Sequence, residues 1–268
     1  MKVWPKWYKL SSKTKLLVKV AAEGEPIILT GPPGTGKTAF AEALAEYLDA
    51  EYLYYLCSNW TTEEDLFVKL DPAAVALTVS GKDEFAQKSY IAGILMKAVL
   101  TSQARKVVVV IDELDKAQEH VDNLLLHFLD KFEAPDQYGH LISAKKENVH
   151  VVITSNKLRE LSLPLYRRCF RFEMSYLEPE VELEILRQKT GVNTQVIKAL
   201  LKFVNAIRKS EIKSVSLNEM LKFLTMLKHA ESRADVQVLI EGYIVDDADV
   251  HDEVKKLSKM MWKALKNN

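Results

Sequence analysis

Residues Gly31-Pro32-Pro33-Gly34-Thr35-Gly36-Lys37-Thr38 constrain this chain more than any other feature, because they match G-x-x-x-x-G-K-[ST] at every fixed position. The order has a physical reason. Glycines allow backbone N–H groups to turn inward around a phosphate with no Cβ in the way. A helix opening near Gly36 points its positive end at the same place. Lys37 is suited to neutralising phosphate charge, and the Thr38 hydroxyl to holding a magnesium ion. The surroundings agree. The apolar run Pro26–Thr30 precedes the motif and reads as a buried strand, while Ala39–Leu48 follows with Phe40, Ala43, Leu44 and Tyr47 on one helical face.

Three further segments carry chemistry. Val107-Val-Val-Val-Ile111 is the strongest strand signal and runs straight into Asp112-Glu113. At the tip of a buried strand beside a phosphate cradle, Asp112 is suited to the magnesium shell and Glu113 to activating a water. Taken alone, the two acids would also cap a helix starting at Leu114. Val149-His-Val-Val-Ile153 is another buried strand and leads to Thr154-Ser155-Asn156. The Asn156 amide can position a water, or it can simply make a turn. Arg167 and Arg168 stand side by side ahead of a short strand at Cys169–Phe172. They read either as a surface pair or as cations that stabilise a transferring phosphoryl group from a neighbouring subunit.

Strand candidates, with Tyr52–Leu56 among them, alternate with helical stretches as far as about Ser175, which means a parallel sheet covered on both faces. Beyond that point only helices are clear, at Glu180–Gln188, Thr194–Ile207, Leu217–His229 and Val250–Leu265, with Val236–Val245 ambiguous. The expected division is therefore an α/β domain at 1–174 and a helical domain at 175–268. Glu133–Asn148 reads as a loop or exposed hairpin.

Lys and Arg together equal Asp and Glu, at 37 each, so no overall field draws the chain to nucleic acid or an anionic membrane. Trp4, Trp7 and Tyr8 alternate with lysines and could stack on a nucleic-acid strand, but an arm packed on the domain or on a neighbour fits them better. Cys57 and Cys169 lack any metal-ligand spacing and read as reduced and packed. No stretch is long and apolar enough to span a membrane, and Met1–Leu10, broken by lysines and Pro5, does not read as a secretory leader. A cytoplasmic protein is expected.

The four motifs in this order resemble the AAA+ ATPases, and more narrowly their MoxR-related branch, over nearly all of residues 20–230. The resemblance is carried by the phosphate loop, by Val108–Ala117 (VVVIDELDKA), by Tyr90–Ala98, similar to a helix ahead of the acidic strand, and by Val151–Phe170 with its Arg-Arg-Cys triplet. It implies a P-loop NTPase fold: a five-stranded parallel sheet sandwiched by helices, followed by a small all-helical lid. It implies ATP and magnesium as ligands, with Gly31, Pro32, Pro33, Gly34, Thr35, Gly36, Lys37, Thr38 and Asp112 around the nucleotide and Thr38 and Asp112 at the metal. Glu113 and Asn156 would act as base and sensor, and Arg167 or Arg168, with Arg168 favoured, as the arginine finger. Leu70–Ser89 would be a loop inserted in the second helix, and Phe132–Glu147 a hairpin before the sensor. The expected function is ATP hydrolysis at subunit interfaces of a homo-oligomeric, hexameric ring that remodels or matures a protein partner carrying a von Willebrand factor A domain; the alternatives are a nucleic-acid-associated AAA+ motor or loader and a non-catalytic ATP-dependent scaffold. One departure stands out: where many relatives place a sensor 2 arginine, this chain has Lys213-Ser-Val-Ser-Leu-Asn-Glu219, and Lys213 is the candidate replacement.

Overall fold

Five successive β-branched residues demand cover on both sides of a strand. In the computed structural model, which describes residues 3–73, 90–245 and 250–266, Val107–Asp112 is buried at every position. The described chain divides into two compact units, residues 1–31 with 36–174, and residues 175–268 with 32–35.

In the first unit the helix α1 (Ser12–Ala22) leads to β1 (Ile27–Thr30), α2 (Lys37–Leu48) and β2 (Glu51–Leu56). A short helix α3 (Glu63–Leu66) precedes β3 (Val68–Leu70), and β4 (Tyr90–Ala92) precedes α4 (Ile94–Ser102). Then come β5 (Val107–Asp112), α5 (His120–Lys131), β6 (Glu133–Pro135), β7 (Leu141–Ser143), β8 (Val149–Ser155), α6 (Leu163–Arg167) and β9 (Phe170–Glu173). Five strands pair in the order β2-β5-β8-β1-β9, all parallel. The three inner strands are buried throughout, whereas β2 and β9 at the edges are partly exposed.

Side chains alternate across a strand, so each inner strand feeds two cores. Val107, Val109, Ile111, Val151 and Ile153 pack with Leu95, Val99, Leu125 and Phe128 on one face. Val108, Val110, Val152, Ile27 and Leu29 pack with Leu17, Phe40, Leu44 and Leu48 on the other. Full burial of rings such as Phe40 and Phe128 contributes about 1.5–3 kcal/mol each. The aromatic arm belongs to the second of these cores: Trp4 lies against Phe40 and Tyr47 at 5.7 and 5.5 Å between ring centres, and Tyr8 against Phe40 at 5.9 Å. Those two rings therefore face α2.

One expected helix is corrected. Tyr90–Ala98 is not helical throughout: Tyr90–Ala92 pairs antiparallel with Val68–Leu70, and α4 starts only at Ile94. Gly93 explains the break, because a Cβ there would lie 2.5 Å from the Asp65 carbonyl oxygen. The chain crosses α3 too closely for a side chain to be accommodated. Of the loop expected at Leu70–Ser89, residues 74–89 lie outside the described residues. The segment after Phe132 is a hairpin, with β6 antiparallel to β7.

The second unit comprises α7 (Pro179–Thr190), α8 (Thr194–Lys209), α9 (Leu217–Met226), α10 (Arg233–Tyr243) and α11 (His251–Lys266), with no strand among its described residues. Leu200, Val204, Phe223, Val236, Ile240, Leu257 and Met261 form one core from these helices. Capping boxes at Ser216/Glu219 and Ser232/Asp235 open α9 and α10. Among the described residues no helix is long and apolar enough to cross a membrane.

Candidate active site

The parallel sheet gathers its chemistry at one edge. Register places Ile111 beside Ile153 and Thr30 beside Ser155, so β1, β5 and β8 end together. Open α/β sheets bind ligands at such strand ends, where the order of connection reverses.

The phosphate loop leaves β1 at Gly31 with φ 140°, and a Cβ there would lie 2.1 Å from the Met174 carbonyl oxygen. Glycine is thus required by close approach as well as by conformation. Gly34 and Gly36 have φ of 77° and 90°, and Gly36 serves as N-cap of α2 without any side-chain cap. The Thr35 hydroxyl closes the loop by donating to the Pro32 carbonyl at 2.9 Å. An uncapped helix start behind a glycine loop is a ready anion cradle. The Lys37 ammonium is buried and donates to the Gly31 carbonyl at 2.7 Å. Burial pushes its pKa down, and Asp112, Asp115 and Glu113 pull it back up.

Asp112 sits at the end of β5 and is bound on both oxygens. Oδ1 accepts from the Thr38 hydroxyl at 3.0 Å and the Thr154 hydroxyl at 2.6 Å, and Oδ2 from the Tyr54 phenol at 2.8 Å. Burial first, then the Asp112 carboxylate, raises the Tyr54 pKa, so this phenol is a durable donor. Glu113 follows with φ 54°, a conformation that costs a non-glycine residue energy and that turns its side chain out of the strand. Its N–H donates to Thr154 Oγ1 at 2.8 Å. Its carboxylate accepts from the Asn156 amide at 2.8 Å on Oε1 and pairs with Lys116 at 2.5 Å on Oε2.

The loop that holds Asn156 is itself fixed. Asp115, buried two residues beyond Glu113, accepts from the backbone N–H of Asn156 at 3.0 Å and of Leu158 at 2.8 Å. The structure thus brings together Lys37, Thr38, Asp112, Glu113 and Asn156, five residues drawn from three separate motifs. The arginines stand elsewhere. Arg168 donates to Asp130 at 2.7 Å and to the Pro164 carbonyl at 3.0 Å, whereas Arg167 is exposed and makes no hydrogen bond or ion pair among the described residues. Lys213 pairs with Glu219 at 3.2 Å and donates to the Tyr243 carbonyl at 3.4 Å, inside the helical unit.

Sequence reasoning assigned no role to Tyr54, Thr154, Asp115 or Lys116. Only Asp115 left a signal there, as a third acid in the run Asp112-Glu113-Leu114-Asp115. Burial raises both cysteine thiols to about 12, so Cys57 and Cys169 are inert protonated packing groups.

The donor set suits a nucleoside triphosphate with magnesium. Thr38 and Asp112 offer hard oxygen atoms, while no group of three or more His, Cys, Asp or Glu among the described residues could hold a metal without help. A magnesium ion held there would have to take its remaining ligands from phosphate and water.

Comparison with known proteins adds a family. The family described as the AAA domain of the dynein-related subfamily matches residues 26–169, more than half of the chain. A Lon protease of Chlamydia pneumoniae is 27% identical over 175 residues, which is 62% of this chain and 19% of that protein. A ClpB chaperone of Chlorobaculum tepidum is 34% identical over 134 residues, covering 48% of this chain and 27% of the relative. The chain thus spans about a fifth to a quarter of the length of these two relatives. The solved RuvB Holliday junction branch migration motor of Thermotoga maritima superposes with a TM-score of 0.55 at 16% identity, over 92% of this chain and 70% of that one. At that identity the likeness is one of fold.

Proposed function

The chain belongs to the dynein-related subfamily of the AAA domain family, and from that premise we propose that it binds ATP with magnesium and hydrolyses the nucleotide at sites completed by neighbouring copies in a ring. The observation that carries this reading is the Glu113 carboxylate, held by Asn156 at 2.8 Å next to Asp112, which in turn meets Thr38 beside Lys37 at the start of α2.

Bound ATP and magnesium supply the transferable phosphoryl group and its counter-ion. The glycine loop and the start of α2 bind the phosphates through backbone N–H groups. Lys37 exchanges its bond to the Gly31 carbonyl for phosphate oxygen and offsets developing charge. Thr38 and Asp112 hold the metal, and Tyr54 and Thr154 keep the Asp112 carboxylate in place. Glu113 takes the proton of the attacking water, and the Asn156 amide fixes the carboxylate that does so. Arg167 or Arg168 supplies positive charge in trans, with Arg167 now the freer of the two.

Residues 1–174 serve in this reading as the nucleotide-binding domain and 175–268 as the lid. We place the chain in the MoxR-related branch on VVVIDELDKA and the Arg-Arg-Cys triplet, and read its work as remodelling or maturing a partner protein with a von Willebrand factor A domain. Two free buried cysteines fit a reducing cytoplasm.

Glu113→Gln tests the chemistry. It should retain ATP affinity within about twofold while turnover falls by about 10²–10⁴. Survival of turnover would remove Glu113 from the role of base.

A further inference from the structure

Asp122 lies on the first turn of α5, fully buried, and belongs to none of the motifs above. Its Oδ1 accepts from Arg159 Nη2 at 2.6 Å, and its Oδ2 from Arg159 Nη1 at 3.1 Å and from the Ser162 N–H at 2.8 Å. Ser162 is the N-cap of α6, the helix that ends at Arg167 with Arg168 as its C-cap. An N-cap serine ordinarily turns its own hydroxyl onto the first turn. Ser162 makes no such bond, and its buried hydroxyl has no partner among the described residues. The entry to α6 is therefore held from outside, by the carboxylate of another helix.

Arg159 extends the grip. Its Nε donates to the Ala117 carbonyl at 2.8 Å, Nη2 also to Leu114 at 3.3 Å, and Nη1 also to Glu160 at 3.0 Å. With the two bonds to Asp122, all five guanidinium N–H groups have acceptors, an arrangement lysine cannot reproduce. Leu114 and Ala117 bracket the turn directly after Glu113. A single ion pair thus ties that turn, the loop beyond Asn156 and the N-cap of α6 to one another. Buried pairs add little net stability over apolar packing, whereas a rigid fork fixes position.

We propose that Asp122 and Arg159 are positioning residues for the arginine-bearing helix: they set α6 so that Arg167 and Arg168 are presented to the nucleotide site of a neighbouring copy, and they touch no nucleotide themselves. This rests on the shared-site reading above.

The test is complementation in mixed assemblies. Asp122→Asn is co-expressed with Glu113→Gln on two different affinity tags, and assemblies that carry both tags are assayed. A subunit that lacks only its correctly set arginines keeps a sound base, and a Glu113→Gln neighbour lends sound arginines. Each variant alone should turn over at about a tenth of wild type or less, as expected of misplaced groups. The mixture should recover about a quarter of wild-type turnover, the share of interfaces at which random mixing joins a sound base to sound arginines. A mixture of Glu113→Gln with the double variant Arg167→Ala/Arg168→Ala calibrates the assay. If that pair recovers and the Asp122→Asn pair does not, the positioning role is wrong. If neither recovers, the shared-site reading fails and this proposal falls with it. Arg159→Lys is run in parallel, with ATP affinity measured for every protein. Loss of ATP binding in both Asp122→Asn and Arg159→Lys would make the pair a folding element and overturn the proposal.

Discussion

The Thr154 hydroxyl does two jobs at once, accepting from the Glu113 N–H at 2.8 Å and donating to Asp112 at 2.6 Å. It is completely buried, so no water can replace it without space being made. Thr154→Val should cost about 1–3 kcal/mol in chemical denaturation, the penalty of an unsatisfied buried N–H. Turnover should fall roughly tenfold or more through the displaced Glu113, and the affinity for ATP with magnesium should weaken as well, because Asp112 loses the same hydroxyl. Unaltered turnover would show that the hydroxyl has no part in orienting the base. At this scale the phosphate loop, Asp112, Glu113 and Asn156 were legible in the sequence, because each follows a buried strand in a fixed order. Thr154 and Tyr54 were not, because a hydroxyl inside an apolar strand reads as a strand former and nothing local says which carboxylate it meets. The resemblance favoured Arg168, but no local signal in the sequence shows that Arg168 is engaged and Arg167 is not. The difference arises from Asp130, thirty-eight residues away along the chain.

Elements were legible in proportion to how much their own pattern decides them. The inner strands β1, β5 and β8 follow from runs rich in β-branched residues and the edge strands β2 and β9 from short aromatic-rich ones, and the ends of all five moved by only one or two residues. Val236–Val245, ambiguous by periodicity, falls largely in the helix Arg233–Tyr243, which the Ser232/Asp235 capping box opens. That signal lay in the sequence, three residues apart, ahead of Val236 and Ile240. Tyr90–Ala92 was misread because its pairing with Val68–Leu70 is a tertiary fact that no local periodicity records. Gly93 is the residue that enforces this division. A Cβ there would stand 2.5–2.6 Å from the backbone of Asp65, Leu66 and Phe67, none of which can yield as a flexible side chain would. Gly93→Ala should therefore destabilise the protein by about 1–3 kcal/mol in thermal unfolding, although alanine is the better helix former. An unchanged or raised midpoint would show that the crossing between α3 and α4 has room to spare.

For the whole molecule, the balance of 37 basic and 37 acidic residues leaves association to local surfaces rather than to a global field. Lys37, Thr38, Asp112, Glu113 and Asn156 lie together, while the Arg167 side chain is exposed and without a partner among the described residues. On the proposed reading a lone subunit would have a base and a phosphate cradle but no arginine to stabilise transferring charge, a contribution of about 10³–10⁵ in rate among related phosphoryl-transfer sites. The sequence left the Arg167–Arg168 pair two readings, a surface pair or cations acting on a neighbouring subunit, and nothing local decides between them. The direct test is the steady-state ATPase rate per subunit, in magnesium, across protein concentrations that span assembly, with mass measured on the same samples. A per-subunit rate that is near zero for the monomer, rises as the assembly forms and then saturates is the result expected of a site shared between copies. Full turnover from a species whose mass is that of a single chain would contradict it.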